Sequence, residues 1–134
     1  MIRMLKNFRN RNSGKIAISY SLLLIVIFVM PVAKIPSQGP DLQVDKIMHC
    51  LLFFIYFVIL IKSLEQYNHV IIKSMIISLS FALFTEFLQS LLPYRSASFQ
   101  DFLADSAGIL VGLILKESLS AKWECWILVI PIDC

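Results

Sequence analysis

The chain has 134 residues, enough for one domain, of which 58% are hydrophobic and only 16% charged. A soluble domain of this size has too much surface for its volume to hide so much apolar side chain. With a mean hydropathy of +0.79, the composition excludes a soluble enzyme, a disordered regulator and a disulfide-rich secreted domain, and it predicts an integral membrane protein. The net charge of +3 is unevenly spread: Arg3, Lys6, Arg9, Arg11 and Lys15 form a basic arm at residues 1–15 that holds no acid. Beside an apolar helix such an arm reads as a topology signal and an anionic-lipid contact, not as a nucleic-acid site.

Four apolar stretches follow in order. Residues 16–35 carry no charge before Lys34 and reach the ~20 residues that a membrane-crossing helix needs. No A-x-A-like cleavage site follows them, so they are expected to be a retained anchor. The Pro36-Ser37-Gln38-Gly39-Pro40 break leads to a second helix over residues 45–62, and a third covers 70–92. A shorter fourth covers 99–115. The loops at 65–69 and 93–98 are short, which makes sequential helices antiparallel neighbours. The tail at 116–134 contains an apolar run too short to cross, and its tryptophans predict a cytoplasmic or interfacial segment. The expected fold is therefore all-α: a four-helix membrane bundle over residues 16–115. Cys50, Cys125 and Cys134 form no CxxC pair, so neither a disulfide framework nor a metal site is expected, and no cofactor.

Counting Lys and Arg orients the bundle. With the N-terminus inside, nine basic residues lie on the cytoplasmic side against Lys34, Lys46 and Arg95 on the other. The positive-inside rule then places both termini in the cytoplasm of a multi-pass cell-membrane protein.

On that topology the polar residues that least suit a membrane collect in one outer layer. Asp45, Lys46 and His49 open helix 2, Glu86 and Gln89 close helix 3, Arg95 and Ser98 lie in the next loop, and Asp101 and Asp105 open helix 4. Spacings of three and four put Asp45 with His49, Glu86 with Gln89, and Asp101 with Asp105 on single helix faces. Ser74, Ser78, Ala82, Glu86 and Ser90 make a small and polar stripe at strict fours on helix 3, expected to face inward. Ala104, Gly108 and Gly112 form a line that lets helices approach closely. A charge inside a bilayer costs at least ~2.5 kcal/mol, so the group is expected to pair internally, with Lys46 and Arg95 serving Glu86, Asp101 or Asp105. Simpler roles compete with function: Asp45 as a helix N-cap, Ser98 and Asp101 as an S-x-x-D capping box, His69 as a loop residue.

The same residues resemble a known family. Asp45-Lys46-Ile47-Met48-His49 is similar to the D-K-x-x-H opening of the VanZ-like membrane proteins. Glu86 to Gln89 is similar to their E-x-x-Q, and Pro93 to Asp101 to their P-x-R-x-x-S-x-x-D; Gly108 and Gly112 resemble the closing glycines. Where the family usually carries Asn four residues after the last of these acids, this chain has Asp105. The resemblance implies a small bacterial envelope protein, in a family named after one linked to low-level resistance to the glycopeptide teicoplanin.

The leading expectation is that Asp45, Lys46, His49, Glu86, Gln89, Arg95, Ser98, Asp101 and Asp105 form an outer-leaflet site for an anionic head group. That head group would belong to a membrane lipid, a lipid-linked cell-wall precursor or a glycopeptide. Lys46, Arg95 and the N-termini of helices 2 and 4 would supply the positive field. Two other classes compete. An intramembrane enzyme acting on a lipid head group would use His49, Glu86 or Asp101 for acid–base work, and a small proton-coupled carrier would titrate His49 and Glu86.

Overall fold

A computed structural model describes residues 2–31, 41–94 and 98–118, with side chains described from Ser13 to Glu117 and, in the second helix, from Val44. Its elements are α1 (Ile2–Val29), α2 (Asp41–Leu64), α3 (Val70–Ser90) and α4 (Phe99–Ser118), with no strand among the described residues. Lys34, Arg95, Cys125, Cys134 and the tail beyond Ser118 lie outside the described residues.

The helix ends follow local chemistry. The expected boundary between basic arm and first span falls inside α1, one continuous helix of 28 residues. Lys, Arg, Leu and Met are good helix formers, and nothing in the arm breaks the helix. At the other end α1 stops at Val29, short of the expected Ile35, because Pro31 disfavours helical geometry at Met30. The second helix begins at Asp41, just after Pro40, so Asp45 sits a full turn inside α2 and is not its N-cap. His69 holds a left-handed conformation (φ 58°, ψ 41°) where α3 begins, a geometry more common for His than for most residues. As expected, it is an exposed turn residue. Pro93 follows the last turn of α3, which closes with Leu91 N–H donating to the Leu88 carbonyl.

Contacts set the directions. Gly14 lies near Ser63, the Tyr20 and Tyr56 rings stack, and Phe28 meets His49, so α1 and α2 run antiparallel. The central helix is α2, which touches all three others and packs most closely on α4. Its aromatic residues Phe53, Tyr56 and Phe57 build the core with Leu24, Phe28, Ala82 and Ile109.

Gly108 explains the α2–α4 contact. A Cβ there would lie 2.1 Å from the Cys50 carbonyl oxygen and 3.0 Å from the Phe54 nitrogen, so backbone rests on backbone. At Gly112 the same atom would meet the Phe57 ring at 2.7 Å. These two glycines therefore do the close packing expected of them.

On α3 the polar face is turned inward, the reverse of a helix on a soluble bundle. Ser74, Ser78, Thr85, Glu86 and Gln89 point inward from α3, while Ile18 (65% exposed) and Phe87 (60%) point outward. Ser90 departs from the expected stripe: it is exposed, and its hydroxyl bonds the Phe87 carbonyl of its own helix. A step of four residues overshoots one turn by about 40°, so the inward face drifts off the strict-fours line and Gln89 replaces Ser90. Two segments, Val44–Leu64 and Val70–Ser90, are long and apolar enough to cross a membrane. The exterior is compatible with a lipid surrounding.

Candidate functional site

The polar residues converge at one end of the bundle, where α1 and α3 finish and α2 and α4 begin. At its centre lies His49, 2% exposed, with Nδ1 2.9 Å from Oδ1 of Asp105, which is fully buried. This pair joins α2 to α4 just above the Gly108 crossing, and the close backbone approach there brings the short Asp105 side chain within reach. Phe28 of α1 covers the imidazole, ring centroids 4.6 Å apart. Sequence reasoning missed Phe28. Its only signal was its place four residues after Leu24 on the inward face of α1, which marks core but names no partner.

Glu86 enters from α3. Its Oε2 accepts a hydrogen bond from the backbone N–H of Ser98 at 3.1 Å. Ser98 is the N-cap of α4: its hydroxyl accepts the Gln100 N–H at 3.2 Å, and its carbonyl accepts the Asp101 N–H. In a capping box the Ser98 N–H would go to the side chain three residues on; here Glu86, from the preceding helix, accepts it. Half of the expected box is thus present, and a different helix supplies the other half.

His49 is shared by two groups of possible ligand atoms. One joins it to Glu86 and Asp105, all three buried, and the other to Asp45 and Asp101; within each group the atoms lie within 4.8 Å of one another. Asp101 is 9% exposed, whereas Asp45 is exposed at the rim. Lys46 is half-buried and donates to Oε1 of Gln100, a residue the sequence reading did not single out. No lysine or arginine is buried among the described residues. The interior of the cluster therefore holds an imidazole and carboxylates, and its described cation stands at the edge.

Several buried polar atoms have no hydrogen-bond partner: Glu86 Oε1, Gln89 Nε2 and Asp105 Oδ2 in the cluster, and the hydroxyls of Ser74 and Ser78 deeper along α3. Buried polar groups are normally satisfied, so these atoms have hydrogen-bonding capacity left for a water, an ion or a ligand. Tyr94 ties the end of α3 back to α1 by donating to the Val29 carbonyl at 2.8 Å. Of the nine expected site residues, the structure gathers Asp45, His49, Glu86, Asp101 and Asp105. Gln89 is buried one turn from Glu86, Ser98 is joined to the cluster through Glu86, and Lys46 stands at the rim. Arg95 lies outside the described residues.

Taken together, the fold defines a small helical bundle with an apolar exterior and a buried ionisable cluster at one end. The VanZ/LLP1 family model matches residues 3–119, and the chain belongs to that family. No curated protein and no solved structure matches it.

Proposed function

We propose that this protein is a multi-pass component of a bacterial cell membrane that receives an anionic head group at the extracytoplasmic end of its bundle. The observation that carries the reading is the rim: Lys46, in contact with the Gln100 amide oxygen, stands beside the N-terminus of α4. The lysine can exchange that neutral acceptor for a phosphate or carboxylate oxygen, and a helix N-terminus favours negative charge at the same spot. Family membership supports a role in the envelope. Lipids, lipid-linked cell-wall precursors and glycopeptides such as teicoplanin all carry suitable anionic groups. The basic residues of the N-terminal arm support the orientation.

The test is native mass spectrometry of the detergent-purified chain with phosphatidylglycerol, phosphatidylcholine and a polyprenyl phosphate. The reading expects retention of the anionic species and its loss in Lys46→Glu. Equal retention of phosphatidylcholine, or no effect of the charge reversal, counts against it.

One observation favours a second reading, an intramembrane enzyme acting on lipid head groups. The buried His49–Asp105 pair has the orientation in which a carboxylate fixes an imidazole for proton transfer. Turnover of a head group by the purified protein, abolished in His49→Ala, is the result that this reading requires.

A further inference from the structure

The unpartnered oxygens of Glu86 and Asp105 bear on a different question. We propose that His49, Glu86 and Asp105 form a binding site for a divalent first-row transition ion of the zinc type.

Three helices deliver one ligand each: α2 the imidazole, α3 and α4 a carboxylate. Their ligand atoms lie within 4.8 Å of one another. By plane geometry three such atoms share a point no more than about 2.8 Å from each, and closing to the usual ~2.0–2.2 Å for Zn–N and Zn–O bonds takes only a slight inward shift. The His49–Asp105 separation of 2.9 Å is near the ~3.3 Å that two such bonds subtend at a tetrahedral ion.

Burial and charge point the same way. His49, Glu86 and Asp105 are 2%, 9% and 0% exposed, and no buried lysine or arginine accompanies them among the described residues. A dication would neutralise the two carboxylates where water cannot. Glu86 Oε1 has no hydrogen-bond partner, so it can ligate without breaking the Glu86–Ser98 contact. At Asp105 the ion would take the place of the proton shared by His49 Nδ1 and Oδ1, and Oδ2 is unpartnered as well. Mixed nitrogen and oxygen ligands favour zinc or a neighbouring transition ion over Mg²⁺, which prefers oxygen and keeps its water. Three protein ligands leave a fourth position for water or an exogenous oxygen.

This inference does not depend on head-group binding, and it is tested without any lipid ligand. The full chain is purified in detergent, stripped with a chelator and titrated with Zn²⁺ by equilibrium dialysis, with Mg²⁺ as competitor. The expected result is one Zn²⁺ per chain, indifferent to excess Mg²⁺. Loss of partners behind the ligands alone weakens metal sites about 10–100-fold, so Asp105→Asn and His49→Ala are expected to weaken binding by at least about 100-fold. Glu65→Gln, in the α2–α3 turn, serves as the control. X-ray absorption on the zinc-loaded wild type needs no variant to fold, and it is expected to show one imidazole nitrogen among oxygens. Failure of the wild type to bind a stoichiometric ion, unchanged binding in both variants, or sulfur in the zinc shell would each overturn the proposal.

Discussion

Glu86 and Ser98 are joined across the α3–α4 connection: the carboxylate near the end of one helix accepts the backbone N–H of the residue that caps the next, at 3.1 Å. One side chain thereby ties the last turns of α3 to the N-cap of α4. From that cap α4 carries Asp105 to His49. The site and the connection are built from the same residue, so a change at Glu86 is read at both.

Replacing Glu86 separates these roles. Hydrogen bonds to charged groups contribute about 1.5–3 kcal/mol, and a buried donor left without a partner costs about 1–3 kcal/mol. Glu86→Ala is therefore expected to destabilise the purified protein by about 2 kcal/mol. Glu86→Gln keeps an acceptor for the Ser98 N–H and is expected to cost less than half as much. Thermal unfolding in detergent, followed by helical circular dichroism, measures both. Equal losses in the two variants would show that the hydrogen bond does not hold the connection.

Gly108 and Gly112 give a graded pair. In a helix interior Ala is favoured over Gly by roughly 1 kcal/mol, so an unconstrained site would gain from the change. At Gly108 the new Cβ meets the Cys50 carbonyl oxygen at 2.1 Å, and backbone cannot rotate aside. At Gly112 it meets Cδ1 of the Phe57 ring at 2.7 Å, a side chain and not backbone. Overpacking costs about 1–3 kcal/mol. Gly108→Ala is expected to fall at or beyond the upper end and Gly112→Ala near the lower, in the same unfolding assay. A stabilised Gly108→Ala would mean that α2 and α4 do not touch at this crossing.

The His49–Asp105 pair is suited to a double-mutant cycle in metal-free buffer. Removing one partner of a buried charged pair costs about 3–5 kcal/mol, because the other is left without compensation. His49→Phe and Asp105→Leu are each expected to destabilise by that amount, and the double variant by clearly less than their sum. Strict additivity would show that the two groups do not interact.

Much of this arrangement is legible in the sequence, for physical reasons that also mark where legibility ends. The polar turn at 65–69 and Pro93 mark the ends of α3, whereas at Pro31 and Pro40 the expected bounds of 35 and 45 miss the signal, and α1 ends at Val29 and α2 begins at Asp41. Spacing of three and four puts His49, Glu86 and Asp105 on inward faces, and burial bears this out. Partnership is another matter. That Glu86 reaches Ser98, that Lys46 meets Gln100 and that Phe28 covers His49 depend on helix rotation and on how closely Gly108 lets α4 approach. None of these has a local signature. The start of α1 at Ile2 escapes the sequence for the opposite reason: its basic residues suggest an arm, although Lys and Arg favour helix as readily as Leu.

The proposed orientation can be tested by chemical labelling of single cysteines. With Cys50, Cys125 and Cys134 replaced by serine, new cysteines are placed at Glu65, in the exposed α2–α3 turn, and at Tyr94, in the exposed α3–α4 connection. The two sites flank α3, whose 21 residues span roughly 30 Å at ~1.5 Å per residue, about the thickness of the bilayer core. They should therefore emerge on opposite faces. A membrane-impermeant maleimide added to intact cells is expected to label Tyr94→Cys and to spare Glu65→Cys until the membrane is opened. The reverse pattern would put the polar cluster in the cytoplasm and end the proposal of an extracytoplasmic head-group site. Labelling of both in intact cells would mean that α3 does not cross.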